Sequence, residues 1–451
     1  LSRNKYRNSK RSPASIEEVT IEKLGAQGDG IGLLPSGTPV YVPYTAPGDL
    51  VRVLLGPKRG DGRTATIEQI LETAPERIDP ECQHFGDCGG CALQHLPHPA
   101  NAKFKSDQLR TALRRRGFSE ITINPTITIP PGVRRRVEFA IGHGERPTLG
   151  LHKTRSKEIV DIGTCPAIRP ALSALLPALR ELLKSTGLAR HAHDIRMTET
   201  QSGLDLLFLS STMYSPDLIV RQKLATFAEA NDVARISWSD REGGEPLVQR
   251  RAPNIIFGPT NVILPIKYFL QPSIEGEIAI SDLALDAVGD AKRVADLYAG
   301  CGSLSFPMTV TANVTAFELN DDMVAAMRHA AAGLSFKAEQ RDLARSPLTE
   351  QELNRFDAVV FDPPRAGAKD QAEYLALSKV PKIVAVSCNP TTLARDLRAL
   401  VDGGYVIDQI TPIDQFAWSA ELEAVAVLHR DGLKASSQSG IQRSQDRSAQ
   451  T

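Results

Sequence analysis

The sequence predicts a multidomain α/β protein: an N-terminal small β-barrel of OB-like type, a central α+β domain with a cysteine cluster, and a C-terminal Rossmann-like domain. Three observations carry this prediction. At 451 residues the chain is too long for one ordinary core, and roughly 150 residues per domain suggests about three. Short runs punctuated by glycine and proline fill its first stretch, whereas regular strand–helix alternation, the mark of a parallel sheet, begins near Leu283. Finally, Val384–Val386 is an apolar β-type run that ends abruptly on Ser387 and Cys388, with Thr391–Leu397 reading as the helix behind it. A thiol at the carboxyl end of a buried strand sits where open α/β sheets bind ligands. The dipole of the following helix, capped by the Asn or Thr at its start, is expected to favour the thiolate. A buried structural cysteine is the competing reading.

Hydrophobic residues make up 41% of the chain, enough to bury several cores. Lys+Arg and Asp+Glu balance at 53 each, so any nucleic-acid binding must be local. Arg3, Lys5, Arg7, Lys10 and Arg11 form a basic start with no apolar stretch after it, and no run of ~18 apolar residues occurs. The expectation is a cytoplasmic protein with no membrane partner, working as a monomer. Residues 1–15 read as a basic disordered arm, and 433–451 as a polar tail without periodicity.

Residues 16–73 read as the barrel: Val19–Leu24, Val40–Tyr44, Asp49–Leu54 and Arg63–Ile70 are strand-like, with a turn-rich ribbon at Gly25–Gly32. Through Gly28–Gly32, Val42–Pro43 and Pro47–Asp49 this span resembles the TRAM domain, an RNA-binding module. A barrel that binds nothing is the alternative.

Residues 74–270 open on Cys82, Cys88 and Cys91, a C-x5-C-x2-C pattern, with Cys165 following at a distance. Four thiolates can hold a structural zinc or an iron–sulfur cluster. Zinc ribbons usually bring two close pairs. Three cysteines and then one, with Gly89 and Gly90 letting the backbone wrap closely, favour a [4Fe-4S] cluster, and disulfides are disfavoured in a reducing compartment. His84 and His95 read as bystanders. Lys103, Lys105, Arg110, Arg114, Arg115 and Arg116 on one helix, and Arg134–Arg136 before a strand, are the expected local basic patches for RNA.

Residues 271–432 read as the Rossmann-like unit. Arg293–Tyr298 runs into the glycine turn Ala299–Leu304, and a second strand ends on Glu318, an acidic residue placed to bind a ribose. The short Gly-x-Gly, rather than a full dinucleotide fingerprint, shifts the expected cofactor to S-adenosylmethionine (AdoMet). A third strand ends near Asp342, a fourth at Asp362–Arg365 and a fifth at Cys388.

Together, the barrel, the four cysteines, Phe269–Gln271, Asp296–Gly302, Phe361–Gly367 and Ser387–Pro390 resemble the RNA (uracil-5-)-methyltransferase family, and within it the iron–sulfur 23S ribosomal RNA enzymes. The resemblance implies Cys388 as nucleophile and Glu423 as base. It implies Gln271, Tyr298, Ser303, Glu318, Asp342 and Asp362 around AdoMet and the target base, and an RNA partner. Two departures stand out: Ser303 replaces a usual Asn, and Ala417–Glu421 replaces the usual Pro-His-Thr-x-His, which opens a choice between Glu421 and Glu423. The chemistry needs these residue types, since carbon 5 of uracil becomes nucleophilic only after a thiolate adds to carbon 6, and a base must later remove the carbon-5 proton. The target base must be flipped or unpaired for the thiol to reach it. The alternatives are a transfer RNA uracil-5 enzyme, an adenine-N6 or cytosine-5 methyltransferase, and an RNA-binding protein without catalysis.

Overall fold

The computed structural model describes residues 15–144, 146–241 and 243–430. The basic residues Arg3–Arg11 and the tail from 433 onward lie outside the described residues.

Strands Ile16–Leu24, Gly30–Leu33, Pro39–Val42, Leu50–Arg59 and Gly62–Glu72 form a closed barrel, the last two exchanging places in the strand order. Alternation turns Val19, Ile21, Val40, Val42, Val51 and Val53 inward. The expected turn-rich ribbon contains a strand. Its Gly32 is required there, because a Cβ would lie 2.3 Å from Val19 and 2.4 Å from the Thr20 carbonyl.

The central sheet has seven strands, in the order Gly244–Gln249, Val233–Ser239, Gly203–Leu209, Asp194–Thr200, Arg136–Gly142, Thr148–His152 and Ile159–Asp161. Helix Pro170–Thr186 places Leu172, Leu175, Leu176, Leu179, Leu182 and Leu183 on one face and packs them, with Leu224 and Phe227 of helix Leu218–Ala230, against Phe139, Ile195, Phe208 and Trp238.

The C-terminal sheet has eight strands. Phe336–Gln340, Asn313–Glu318, Arg293–Leu297, Ala358–Phe361 and Lys382–Ser387 run parallel in that order. Glu423–Arg430 then inserts antiparallel between Lys382–Ser387 and Tyr405–Asp414. Ile127–Thr128 adds the outermost strand, and Leu109 and Leu113 of helix His98–Arg114 join Leu393, Leu397 and Leu400 in the same core. The segment 98–128 thus packs with the C-terminal sheet, although it lies inside the stretch 74–270. Chain order reverses between Arg293–Leu297 and Ala358–Phe361, so a cleft opens at their carboxyl ends, where Tyr298 and Asp362 follow.

Candidate active site

The thiol is placed by a strand–cap–helix device. Strand Lys382–Ser387 is buried from Ile383 to Ser387 and delivers Cys388 to the sheet's carboxyl edge. Asn389 caps helix Pro390–Asp402, its side chain accepting from the Thr391 amide at 3.0 Å, with Pro390 at the first helical position. The same Asn389 donates through Nδ2 to the Arg365 carbonyl at 3.0 Å, tying the thiol loop to the Asp362–Gly367 loop. Ser387 stands opposite Ala424 in the antiparallel ladder, so Cys388 and Glu423, one residue further on each side, share one mouth of the sheet.

The expected preference for thiolate is overturned. Burial, then Glu423 and Asp362, push the Cys388 thiol up to about 11. Arg365 pulls the other way, but its guanidinium is already held by both oxygens of Glu421, at 2.7 and 2.6 Å. A helix dipole is a partial charge, and here it is outweighed by desolvation and neighbouring carboxylates.

Glu423 is 2% exposed and its carboxyl is driven well above the usual range, first by burial and then by Asp362. Its Oε2 accepts from Gln415 Nε2 at 3.2 Å, while Oε1 is buried without a protein partner. Asp362 is held up at about 7 by burial, and its Oδ2 accepts from Gln271 Nε2 at 2.9 Å. Glu421, by contrast, is 40% exposed on its side chain and engaged with Arg365.

The glycine turn follows strand Arg293–Leu297 at the same carboxyl edge of the sheet. Tyr298, Gly300 and Gly302 all take positive φ (63°, 59° and 91°), which folds the chain back at the end of its strand. The Gly300 amide donates to Glu318 Oε2 and the Asn320 amide to Oε1, each at 2.9 Å. A Cβ on Gly300 would meet nothing within 4 Å, so the turn borders open space beside the Glu318 carboxylate. That combination fits a nucleoside whose ribose hydroxyls donate to Glu318. Ser303 is partly exposed in the same turn, and only a four-residue helix, Ser305–Met308, follows. Asp342 accepts from the Ala344 and Arg345 amides at 3.1 and 3.2 Å and lies within electrostatic reach of Tyr298, whose phenol burial pushes up to about 12.

Two site residues escape a reading by motif. Gln415 bridges Gln271 and Glu423. Asp296 is buried in its strand, accepts from the Ser305 hydroxyl through Oδ2, leaves Oδ1 without a partner and is pushed by burial to about 7.

In the cysteine loop, the Gly89 amide donates to the His152 carbonyl at 2.9 Å, and a Cβ there would stand 2.7 Å from that oxygen; on Gly90 it would lie 2.8 Å from Leu151. Glycine is thus required at position 89, where the obstacle is backbone, whereas at 90 the Leu151 side-chain end can shift. Cys82, Cys88, Cys91 and Cys165 are all free thiols. Burial pushes Cys91 up to about 12, followed by Cys165, Cys88 and Cys82, so the four stand within electrostatic reach of one another. Among the described residues, however, no three His, Cys, Asp or Glu side chains are arranged to hold a metal ion. His95 is buried in a tilted stack 5.6 Å from Phe85, and burial lowers it to about 4.

The cysteine loop also reaches the active site. The Ala92 and Leu93 amides both donate to the Trp418 carbonyl, at 2.8 and 2.9 Å, where Trp418 is buried with φ of 61°. Lys105 is wholly buried, paired with Asp414 and donating to the Phe416 carbonyl at 2.9 Å. Both expected basic patches are therefore partly internal struts. Arg135, in the middle of the triple arginine, is 1% exposed, pairs with Glu277 at 2.5 Å and donates to the Gln271 carbonyl at 3.1 Å. Arg136 donates to the Leu270 carbonyl at 3.1 Å and lies over the Phe269 ring. Arg135, just before strand Arg136–Gly142, is drawn inward by the Pro272 carbonyl and the Glu277 carboxylate, which a run of like residues conceals.

Residues 265–431 match the tRNA (Uracil-5-)-methyltransferase family, and residues 10–55 match the TRAM domain. An uncharacterized RNA methyltransferase of Brucella melitensis is 41% identical over 416 residues, covering 91% of this chain and 97% of its own. The 23S rRNA (uracil(1939)-C(5))-methyltransferase RlmD of Halomonas elongata is 29% identical, with 94% of each chain covered. Among solved structures, the Pyrococcus abyssi tRNA (uracil-54, C5)-methyltransferase in complex with S-adenosyl-L-homocysteine superposes with a TM-score of 0.70 at 25% identity, over 91% of this chain and 99% of that one. With a thiol at the end of the fifth parallel strand, a glycine turn held by the Glu318 carboxylate and relatives matched along nearly their full length, the chain belongs to the AdoMet-dependent RNA (uracil-5-)-methyltransferases.

Proposed function

We propose that the protein methylates carbon 5 of one uridine in 23S ribosomal RNA through a covalent adduct on Cys388. The observation that carries this reading is the pairing of the Cys388 thiol with the buried Glu423 carboxyl at one sheet mouth, beside Asp362. Cys388, once deprotonated, adds to carbon 6, and the electrons of the carbon 5–carbon 6 double bond move toward the carbonyl at position 4. AdoMet, when bound, supplies the electrophilic methyl group. Glu423 then removes the carbon-5 proton, the double bond re-forms and the thiolate leaves. Glu423 is preferred over Glu421 because its Oε1 is buried and unpartnered, whereas Glu421 is engaged with Arg365. Gln271 and Asp362 orient the base edge. Tyr298, Ser303, Glu318 and Asp342 hold the cofactor.

Cys82, Cys88, Cys91 and Cys165 would hold a structural [4Fe-4S] cluster, a group whose thiolates spread wider than those around one ion; methyl transfer itself needs no electron. Support comes from four free thiols within electrostatic reach and from the obligatory Gly89 between Cys88 and Cys91. Iron, sulfide and zinc analysis of anaerobically purified protein tests this, and stoichiometric zinc without sulfide would sink it.

Transfer RNA is the second reading, favoured by the P. abyssi superposition. Labelled-methyl transfer to unmodified 23S and transfer RNA transcripts, followed by nucleoside digestion, decides between them. 5-Methyluridine in 23S RNA is expected. Methyladenosine or methylcytidine as the product would overturn the uracil mechanism.

A further inference from the structure

We propose that Gln415 is a positioning residue that aims the base Glu423 and locks the orientation of Gln271, a role resting on the assignment of Glu423 above. Four side chains form one hydrogen-bonded line: Gln271 Nε2 donates to Asp362 Oδ2 at 2.9 Å, Gln415 Nε2 donates to Gln271 Oε1 at 3.0 Å, and the same Gln415 nitrogen donates to Glu423 Oε2 at 3.2 Å. Gln271, Gln415 and Glu423 are each 5% exposed or less, so no water competes freely for these bonds.

The direction of the line follows from the atoms available. A carboxamide nitrogen carries two hydrogens, and Gln415 spends one on Gln271 and one on Glu423. Reversing Gln415 would set its carbonyl oxygen against both the Glu423 carboxylate and the Gln271 oxygen. With Gln415 fixed, Gln271 must present its NH2 to Asp362. Glu423 is left with one engaged oxygen, Oε2, and one bare oxygen, Oε1.

The fold makes room for this side chain. A Cβ on Gly276, in the first turn of helix Ile274–Val288, would lie 2.2 Å from Gln415 Oε1 and 2.9 Å from its Cβ. The preceding residue, Asp414, is pinned by the buried Lys105, which also holds the Phe416 carbonyl beyond it. The charged and titratable groups facing Glu423 are Asp362, Glu421 and Cys388, with Arg365 beside them. Among these groups Gln415 is the donor bonded to Glu423, so its loss should leave the base protonated to higher pH.

The test is single-turnover reaction of the full chain with labelled AdoMet and unmodified 23S and transfer RNA transcripts, resolving adduct formation from adduct breakdown. Gln415→Met keeps length and bulk but removes the donor. Breakdown should slow by about 10–100-fold, with its pH midpoint moved up by about one unit, while adduct formation, which feels only the loss of the lock on Gln271, slows less and keeps its own midpoint. Gly276→Ala, which crowds Gln415 and also the Ser273 capping hydroxyl 2.8 Å away, should give the same pattern in weaker form, with Ser273→Ala as the control for the cap, and serves if Gln415→Met folds poorly. Equal slowing of both steps with an unmoved midpoint would mean packing only and overturn the proposal. Glu423→Gln separates this from the underlying assignment. If it traps the adduct while Gln415→Met behaves as wild type, only the role of Gln415 falls; if it turns over freely, both fall.

Discussion

The cysteine loop and the sheet mouth both bury thiols, yet they surround them differently. Cys91 is raised by burial and by three other thiols, whereas Cys388 is raised by burial and by two carboxylates, with Arg365 opposing. In the first region the acidic neighbours that raise Cys91 are all sulfurs. In the second, the neighbours that raise Cys388 are the carboxyls of Glu423 and Asp362, groups that can take or give a proton. Burial alone therefore does not mark a reactive thiol; the proton-handling groups around it do.

Removing the proposed nucleophile should break the comparison most severely. Cys388→Ala is expected to lower kcat by about 10⁴-fold or more and to abolish the covalent RNA adduct, with AdoMet still bound by equilibrium dialysis. An active variant would end the covalent mechanism. The next effect belongs to the base. Glu423→Gln should slow turnover by about 10²–10⁴-fold and accumulate methylated protein–RNA adduct on a denaturing gel, while Glu421→Gln, which loses only an exposed ion pair, stays within about fivefold of wild type. Reversed behaviour of the two would exchange their roles.

The cysteine loop should answer through stability rather than chemistry. Cys91→Ser is expected to lose iron and sulfide and to lower Tm by roughly 5–10 °C, with a smaller loss of kcat than either active-site variant. A Tm unchanged from wild type would make the loop dispensable to the fold. The smallest effect concerns Asp296, held at about 7 against an ordinary 3.8. With the folded value raised, the native state keeps the proton between these limits, so stability falls as pH rises from about 4 to 7 and then levels. Asp296→Asn should gain roughly 1–3 kcal/mol relative to wild type above pH 7, and nothing below pH 4, in urea titrations.

The parallel strands were the most legible part of the chain. Ala358–Phe361 reads from sequence at its observed bounds, because a strand buried on both faces has no polar residue until it ends. Cys388 and Asp362 stand out in the sequence because each follows directly on such a strand, and Glu318 because it ends one. What was not legible depends on partners far away in sequence. Glu423–Arg430 reads as an apolar run, with nothing local to say that it inserts antiparallel beside Lys382–Ser387. Lys105 and Arg135 look like surface cations until the carboxylates that bury them are known. Gln415 is a neutral polar residue in no motif, and only a structure shows the three groups it aligns.

The Trp418 carbonyl, clamped by the Ala92 and Leu93 amides, has a consequence for the order of assembly. Its neighbouring strut, Lys105 to Asp414, spans 309 positions, so neither contact can form until nearly the whole chain has left the ribosome. The barrel and central sheet can close earlier from strands close in sequence, but the loop that leads from Asp414 to Glu423 must wait. Until then the cysteine loop has no partner for Ala92 and Leu93, and the catalytic pocket lacks one wall. The amide protons of these two residues should gain hydrogen-exchange protection last during refolding, in step with the appearance of methyl transfer.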